Sequence, residues 1–135
     1  MADTFQFEIV TPEQMVASGL AEEMQIPGKN GYLGILPGHA PLITELSVGE
    51  ITYRNAQRSE HLAVAWGFAE VLPNKVTILA ETAERAAEID VGRAERARER
   101  AEQRLREASH ATDFERAQIA LERAVIRIQV AEKRE

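Results

Sequence analysis

The 135-residue chain contains no cysteine, which excludes a disulfide framework and a thiolate metal site. This absence fits a reducing compartment. No apolar run approaches the roughly 20 residues that a membrane helix needs. The first residues, Met1–Thr4, lack the basic and apolar regions of a signal peptide. We therefore expect a soluble chain that inserts no segment into a membrane and reaches a membrane only through a partner.

Proline and glycine are nearly absent from the second part of the chain. All five prolines and seven of the eight glycines precede residue 74, and Gly92 is the remaining glycine. Frequent turn residues, as in the front part, are typical of a β domain. The back part consists mostly of Ala, Glu, Arg and long aliphatic residues, which favour helices. The sequence predicts a β-sandwich or flattened barrel over residues 1–84, followed by a two-helix hairpin over residues 85–135.

The net charge of −6 arises in the front part. Residues 1–83 contain ten acidic and four basic residues, whereas residues 84–135 contain twelve of each. Eleven of the twelve bases in the back part are arginine. A total this acidic argues against a general nucleic-acid-binding protein. The neutral back part is typical of solvent-facing helices whose oppositely charged side chains pair.

Hydrophobic alternation predicts several strands in the front part. Phe5, Phe7 and Ile9 alternate with polar residues, which is the period of a half-buried strand. Gly67 lies within a long apolar run and indicates a bulge or a close backbone contact. The other predicted strands are separated by turns at Pro27–Gly31 and Pro73–Lys75, and they comprise Met24–Ile26, Ile51–Tyr53, His61–Val71 and Val76–Ala80.

The segment Gly31–Thr44 is dense in glycine and proline among aliphatic residues. Its composition predicts a tight loop between strands, and the alternative is a protruding apolar loop that docks on a partner. His39 lies here, but His61 and His110 follow no ligand spacing with it, so we expect no metal site. The sequence has no nucleophile elbow, phosphate-binding glycine loop or recognisable carboxylate pair, so a hydrolase built on His39 has no support.

The back part predicts two helices, of which the first begins near Asp90. Asp90 is a good N-cap residue for a helix that runs through Arg93–Ser109. One face of this helix carries mostly alanine at spacings of three and four: Ala94, Ala97, Ala101, Leu105 and Ala108. Such a face lets a second helix approach closely but buries little area, so we expect a weak contact.

The second predicted helix follows a short connection at His110–Thr112. Thr112 and Glu115 have the spacing of a capping box. The apolar stripe of this helix comprises Phe114, Ala117, Leu121, Ala124, Val125 and Ile128. Because so few residues join the two helices, they should fold back on each other as an antiparallel hairpin.

Two pairs of arginines do not fit a merely solvated hairpin. Arg123 and Arg127 are stacked neighbours on the second helix, where like charges destabilise by roughly 0.2–0.5 kcal/mol. Arg93 and Arg100, seven residues apart, share a face of the first helix. A hairpin could bring both pairs together as a guanidinium cluster suited to phosphates.

The alternative for these arginines is an ordinary solvated surface. Acids on the same helices, Glu99 and Glu122 among them, would then pair with the arginines. The charges and helical spacings of these residues, taken alone, favour this alternative over the phosphate cluster.

The loop segment and the order of the two parts resemble one known family. The core of Gly31–Thr44 reads Leu-Gly-Ile-Leu-Pro-Gly-His-Ala-Pro-Leu and looks like the signature loop of the epsilon subunit of bacterial F-type ATP synthases. The resemblance covers essentially the full chain. It implies an N-terminal β-sandwich followed by two C-terminal helices, in agreement with the patterns above.

The resemblance also implies a site for ATP as a regulatory ligand. Some bacterial members bind ATP through a motif that stands here as Ile89-Asp90-Val91-Gly92-Arg93-Ala94. An acidic residue just ahead of the motif matches Glu84, and the supporting arginines of the family match Arg100, Arg123 and Arg127. Gly92 lowers helix propensity by about 1 kcal/mol relative to alanine and would loosen the first turn.

The resemblance implies a role for each residue of this site. Asp90 and the nearby backbone would recognise adenine, with Ile89 and Ala94 shaping its pocket. Arg93 would help to organise the site. The phosphates would be held by Arg100, Arg123 and Arg127. Mg²⁺ can accompany the nucleotide, although no carboxylate pair in the sequence marks a dedicated metal site.

The implied function is that of a non-catalytic subunit in the rotor stalk of a proton-translocating ATP synthase. The β domain would join the gamma subunit to the membrane-embedded c-ring, with Gly38, His39 and Pro41 on the partner surface. The helices would extend toward the alpha and beta catalytic subunits and inhibit ATP hydrolysis, and bound ATP would favour the folded hairpin. The complex would hold the chain at the cytoplasmic face of the bacterial cell membrane as a peripheral protein. The alternative is a purely structural rotor adaptor that does not sense ATP.

Overall fold

A computed structural model describes residues 3–134. Met1, Ala2 and Glu135, which the predicted domain bounds include, lie outside the described residues. The described part begins with eight strands: β1 Phe5–Val10, β2 Met15–Ala21, β3 Glu23–Gly28, β4 Gly31–Ile35, β5 Leu42–Leu46, β6 Gly49–Asn55, β7 Arg58–Val71 and β8 Lys75–Arg85. A short 3₁₀ turn at Ala86–Glu88 leads into two helices, α1 Val91–Glu107 and α2 Ala111–Ala131.

The strands form one continuous sheet that folds over on itself as a β-sandwich. The main strand order is β2-β1-β8-β7-β5-β3-β4, and β6 pairs with both β3 and β7. Strands β1 and β8 run parallel, while the other pairs are antiparallel. Because β3 and β7 are each joined to β5 and β6, the sheet wraps around one hydrophobic core. The predicted fold class, a β-sandwich followed by a two-helix hairpin, is confirmed.

The core of the sandwich follows the alternation seen in the sequence. Phe5, Phe7 and Ile9 on β1 are buried, with polar or partly exposed residues between them. The ring of Phe7 lies 4.4 Å, centroid to centroid, from that of Tyr53 on β6. The remaining large core side chains are Met24, Ile26, Ile35, Ile51, Leu62, Val71, Val76 and Ile78. The front part therefore buries a substantial core of its own.

The prediction of a tight loop over Gly31–Thr44 is wrong in extent. Gly31–Ile35 forms β4 and pairs with β3, while Leu42–Leu46 forms β5 and pairs with β7. Only residues 36–41 form the loop between them. Pairing with neighbouring strands satisfies the backbone groups of this glycine-rich stretch, which short-range composition does not reveal. The sequence patterns also missed β2.

Strand β7 bends at Trp66 and Gly67, where it changes partner. It pairs with β6 as far as Val64 and with β5 from Gly67 onward. Trp66 has a φ of 53° and Gly67 a φ of 120°. A Cβ atom on Gly67 would lie 1.9 Å from the carbonyl oxygen of Leu79, so only glycine fits. The predicted close backbone contact at Gly67 is confirmed.

The start of α1 agrees with the sequence, whereas the start of α2 does not. The carboxylate of Asp90 accepts a hydrogen bond from the backbone N–H of Arg93 at 3.1 Å, so Asp90 is the N-cap. Helix α2 begins at Ala111 after His110, whose side chain makes no capping hydrogen bond. The predicted capping box at Thr112 is therefore wrong, because the Phe114 N–H already donates to the His110 carbonyl and closes the first turn earlier.

The hairpin is held together by small side chains. Ala94 and Ala101 of α1 and Ala117 and Ala124 of α2 are buried, while Phe114 at the start of α2 stays 51% exposed. The hairpin docks on the sandwich through a small cluster of buried residues, here called the docking cluster: Ala63, Ala86, Ile89, Val130 and Ala131. Neither helix in the described residues is long and apolar enough to cross a membrane.

Candidate functional site

A cavity of about 540 Å³ lies between the sandwich and the hairpin. Its volume falls within the range of about 300–1,000 Å³ that is typical of small-molecule sites. The sandwich contributes Thr11, Glu13, Gln14, Val48, Ala63, Val64, Ala65, Glu81, Thr82, Ala83 and Glu84. The helices contribute Arg93, Ala97, Ala120, Arg123, Ile126 and Arg127. Because the two parts supply opposite walls, the cavity exists only while the hairpin lies on the sandwich.

Three of the predicted arginines converge on this cavity. Arg93 lies in the first turn of α1, while Arg123 and Arg127 lie one turn apart near the end of α2. The antiparallel hairpin places the beginning of α1 beside the end of α2, so all three side chains line the same space. The predicted convergence of Arg93 with Arg123 and Arg127 therefore follows from the short connection that folds the two helices back on each other.

Arg127 is paired with a carboxylate of the sandwich. Its Nε atom lies 2.7 Å from Oε1 of Glu84, and its Nη2 group donates a hydrogen bond to Oε2 at 3.1 Å. The Nε contact is an ion pair outside hydrogen-bonding geometry. The side chain of Arg127 is only 21% exposed, so this pair joins α2 to β8 in a partly desolvated position. This ion pair agrees with the alternative in which acidic side chains pair with the arginines. The acid is Glu84 of the sandwich, however, and neither Glu99 nor Glu122 of the helices.

Arg93 and Arg123 have no carboxylate partner within residues 3–134. The guanidinium carbon of Arg123 lies 5.3 Å from the centroid of the Trp66 ring, which is a cation–π distance. Glu13 and Glu81 also line the cavity, and neither forms an ion pair with a described residue. The cavity thus combines two available guanidinium groups, one paired guanidinium group and two available carboxylates.

The other four residues of the predicted ATP site do not line the cavity. Arg100 is exposed on α1. Ile89 is buried in the docking cluster, and the Asp90 carboxylate caps α1. Ala94 is fully buried within the hairpin. The structure therefore brings Glu84 together with three of the arginines.

The predicted partner residues lie on the loop between β4 and β5. Gly38 has a φ of 83°, and its N–H donates to the carbonyl of Pro73 at 2.8 Å. Nδ1 of His39 lies 2.7 Å from the carbonyl oxygen of Ala40, and Pro41 is exposed. Within residues 3–134, no group of three or more His, Asp or Glu side chains is arranged to hold a metal ion.

An apolar surface lies on the outer face of neighbouring strands. Ile43 on β5 is 70% exposed, Phe68 on β7 is 53% exposed and Leu79 on β8 is 55% exposed. Phe68 is directly opposite Leu79, and Leu79 is opposite Val10 on β1. We call Ile43, Phe68 and Leu79 the outer apolar face. Adjacent exposed side chains of this size are typical of a docking surface.

A second polar contact fastens the end of α2 to the sandwich. The Nζ atom of Lys133 donates to both carboxylate oxygens of Glu50, at 2.7 and 2.9 Å. Oε2 of Glu50 also lies 2.8 Å from Nδ1 of His61 and accepts from the Thr52 hydroxyl at 3.1 Å. Burial by itself raises the pKa of Glu50, but these three hydrogen bonds outweigh it and hold the pKa below its usual value.

Sequence reasoning missed this contact and the role of Trp66. Glu50 and Lys133 are 83 positions apart, and nothing in a local pattern joins them. Trp66 lies in an apolar run. A tryptophan in such a run indicates only that the residue belongs to a strand, either in the core or on the surface. The Trp-Gly pair at a predicted bulge was the one local signal, because a bulge redirects the side chain beside it.

Each of the two parts matches a known domain. Residues 4–86 match the family described as ATP synthase, Delta/Epsilon chain, beta-sandwich domain. Residues 87–132 match the family described as ATP synthase, Delta/Epsilon chain, long alpha-helix domain. The ATP synthase epsilon chain of Syntrophobacter fumaroxidans is 52% identical over 133 residues, which cover 98% of this chain and 99% of that relative. The corresponding chain of Koribacter versatilis is 72% identical over 105 residues, covering 78% and 74%.

Two solved structures share the fold at low sequence identity. One is a chain of the Euglena gracilis mitochondrial ATP synthase, solved as OSCP/F1/c-ring, with a TM-score of 0.78 at 20% identity. The aligned region spans 88% of this chain and 76% of that chain. One chain of the Tetrahymena thermophila mitochondrial ATP synthase central stalk/c-ring has a TM-score of 0.66 at 12% identity, covering 96% and 97%. These likenesses show the fold alone.

The sandwich, the hairpin and the two matched domains define a stalk subunit of a rotary ATP synthase, as distinct from a catalytic subunit. More narrowly, the chain belongs to the family of ATP synthase epsilon chains. The resemblance drawn from its loop segment is confirmed.

Proposed function

We propose that this epsilon chain is a regulatory and coupling subunit that binds ATP without hydrolysing it. Bound ATP keeps the hairpin folded on the sandwich. Without ATP, the hairpin leaves the sandwich, extends along gamma toward the alpha and beta catalytic subunits and inhibits ATP hydrolysis. The observation that carries the proposal is the convergence of Arg93, Arg123 and Arg127 on a cavity between hairpin and sandwich.

The arginines supply the chemistry that a polyphosphate requires. A guanidinium group has five N–H donors in a planar arrangement that matches phosphate oxygens. Arg93 and Arg123 have no carboxylate partner among the described residues, so their donors are available. A phosphate between Arg123 and Arg127 would also remove the like-charge repulsion at this helical spacing. Arg127 would keep its contact with Glu84 while its other terminal nitrogen reaches the ligand.

The remaining residues of the resemblance would act from the edge of this site. Asp90 fixes the first turn of α1, which carries Arg93, while Ile89 and Ala94 hold that turn against the docking cluster and α2. The exposed side chain of Arg100 would turn toward the phosphates when they arrive. The apolar side chains of Ala97, Ala120 and Ile126 offer a wall against which adenine could pack.

Mg²⁺ bound with ATP would be held mainly by the phosphates. Magnesium usually takes one or two carboxylates in addition to phosphate oxygens. Glu13 and Glu81 are the lining carboxylates without an ion-pair partner in residues 3–134, so they are the groups that would complete its coordination. When present, the metal would neutralise part of the charge on the phosphates.

Ligand binding at this cavity would act directly on the position of the hairpin. A ligand that binds only the folded state stabilises it by RT ln(1 + [L]/Kd), about 2.7 kcal/mol at a hundredfold excess over Kd. The docking cluster is small and consists largely of alanine, so the hairpin is held by few apolar contacts. A stabilisation of this size is therefore enough to shift a closely balanced equilibrium by about a hundredfold.

The sandwich would connect the rotor parts. We place the gamma subunit on the outer apolar face, because Ile43, Phe68 and Leu79 offer adjacent apolar side chains. The loop with Gly38, His39 and Pro41 would lie at the contact with the c-ring. The assembled complex would then hold this chain at the cytoplasmic face of the bacterial cell membrane, where protons drive the rotor.

A purely structural rotor adaptor is the second candidate. It is favoured by the close ion pair between Arg127 and Glu84 and by the packing of Arg123 on Trp66. Both contacts give the arginines a role that needs no nucleotide. In that case, ATP would not change the thermal stability of the isolated chain.

The experiment that separates the two candidates is calorimetric titration of the full chain with ATP and MgCl₂. We expect binding with a stoichiometry near one, and a loss of at least tenfold in affinity for Arg93→Ala and Arg123→Ala. Arg106→Ala is the matched control, since Arg106 is an exposed arginine of α1 outside the cavity. Absence of heat, together with an unchanged melting temperature in ATP, would reject ATP sensing and leave the adaptor function.

A further inference from the structure

The backbone at Trp66 is strained, and this strain is the starting observation. Trp66 has a φ of 53°, a left-handed conformation that bulky residues rarely adopt. Strained residues persist when their surroundings hold them, and they concentrate at functional sites. Trp66 directly precedes Gly67, which has a φ of 120° and makes the close contact with β8. The strained position of Trp66 is therefore a candidate functional position, and its function depends on what the side chain contacts.

The side chain of Trp66 lies against Arg123. The guanidinium carbon lies 5.3 Å from the ring centroid, and Arg123 in turn lines the cavity, whereas Trp66 does not. A cation–π contact uses the charge of the guanidinium group and none of its N–H donors. Within residues 3–134, no carboxylate competes for those donors. The ring thus restricts Arg123 and leaves its hydrogen-bonding capacity free.

Holding this side chain in place has a physical benefit. Arg123 would otherwise be a flexible exposed side chain that loses rotamer entropy on binding a phosphate. It would also be repelled by Arg127, one turn along α2. A neutral aromatic face attracts Arg123 without neutralising the cavity, which a carboxylate in the same position would do.

We infer that Trp66 is a positioning residue that holds Arg123 ready to donate to the phosphates of ATP. This inference rests on the proposed function. It adds an aromatic side chain of β7 to the phosphate-binding part of the site, whose other proposed members are arginines of the helices. It also predicts that Trp66 affects nucleotide affinity through Arg123 alone.

The test is a double-mutant cycle measured by ATP calorimetry on the full chain. Trp66→Leu removes the aromatic face and keeps a bulky side chain at the same backbone conformation, whereas Trp66→Phe keeps an aromatic face. We expect Trp66→Leu to weaken ATP binding about threefold to tenfold and Trp66→Phe to weaken it less. In an Arg123→Gln background, Trp66→Leu should change the affinity by less than about twofold. Thermal unfolding of each variant confirms that it is folded.

Fluorescence provides a second measurement that needs no ligand. The chain has a single tryptophan, so its emission reports on Trp66 alone. Arg123→Gln should change the emission of the unliganded chain, whereas Arg93→Gln should leave it unchanged.

The possible failures are distinguishable. If Trp66→Leu weakens ATP binding equally with Arg123 present and with Arg123→Gln, Trp66 acts through the fold and not through Arg123. If Trp66→Leu leaves the ATP affinity unchanged in both backgrounds, Trp66 does not act on the site. If Arg123→Gln leaves the tryptophan emission unchanged, the contact between Trp66 and Arg123 is disproved. Each of these results overturns the inference while ATP binding by the unaltered chain keeps the proposed function. If the unaltered chain does not bind ATP, both are rejected.

Discussion

The sandwich and the hairpin are stabilised by contacts of very different size. The sandwich core consists mainly of Phe, Ile, Leu, Met and Val side chains, together with four alanines and Tyr53, and nearly all of them are inaccessible to water. The docking cluster beneath the hairpin contains five buried residues, of which three are alanine. Buried area sets the hydrophobic contribution, at about 25 cal/mol per Å², so the sandwich gains much more from its contacts than the hairpin does.

This difference indicates where the molecule can change conformation. The hairpin adds two charged contacts to its small apolar base, Arg127 with Glu84 and Lys133 with Glu50. Charged contacts at partly exposed positions contribute little, and they respond to ligands, salt and pH. Regions of low local stability open independently of the rest of a domain. We therefore expect the hairpin to open while the sandwich remains folded, and under the proposed function ATP would oppose this opening.

The largest effect is expected in the sandwich core. Ile78→Ala removes a fully buried side chain of β8 and should lower the free energy of unfolding by about 2–5 kcal/mol. Urea denaturation followed by circular dichroism measures this change. Ile119→Ala, at a partly exposed position of α2, is the control and should have a much smaller effect. Similar losses for both variants would contradict the contrast between the two regions.

A smaller and local effect is expected in the docking cluster. Val130→Ala removes a fully buried side chain of α2 and should weaken the docked state of the hairpin by about 2 kcal/mol. Hydrogen exchange should then quicken in α1 and α2 and stay unchanged in β1 and β8. Equal acceleration in the sandwich would mean that the two parts unfold together and that the hairpin does not open separately.

The contact at the end of α2 should contribute about 1 kcal/mol, since Lys133 is about half exposed. Lys133→Ala should raise the exchange rate of the hairpin amides by about fivefold. Arg134→Ala tests the neighbouring exposed charge, which has no side-chain partner within the described residues, and should leave the rates unchanged. If both variants behave alike, Lys133 does not hold the hairpin through Glu50.

The smallest expected effect is a pH dependence of the contact between Lys133 and Glu50. The pKa of Glu50 is lowered in the folded state, so its contribution is fully present above the unfolded pKa of about 4.3. The contribution is lost as pH falls through the lower folded pKa. Glu50→Gln should therefore reduce the difference in hairpin exchange between pH 6 and acid. Lys133 and His61, which face Glu50, are unchanged in this variant, and an identical acid profile would disprove the role of the carboxylate.

Much of the fold could be predicted because its signals are local. The alternation of Phe5, Phe7 and Ile9 reflects burial on one face of β1. Asp90 caps α1 through a contact three residues away. The prediction failed where long-range pairing decides structure, as in the glycine-rich strand β4. It also failed at Thr112, because several residues near the connection could begin α2.

The site was predictable only in part. Helical spacing and a short connection place Arg93, Arg123 and Arg127 near one another, and the structure puts all three at the cavity. The partners of these side chains come from the sandwich, and tertiary packing alone brings them close. The contact of Lys133 with Glu50 leaves no trace in local sequence, and the contact of Arg123 with Trp66 leaves only the Trp-Gly pair at the predicted bulge. Roles drawn from the resemblance for Arg100 and Ile89 stay predictions.

Hydrogen exchange of the full chain with and without saturating ATP and MgCl₂ tests the central claim most directly. ATP that holds the hairpin on the sandwich should slow exchange across α1 and α2 by about a hundredfold at a hundredfold excess over Kd. Exchange in the sandwich core should stay as it was. Unchanged exchange in the hairpin at saturating ATP, or equal slowing in both parts, would contradict the account.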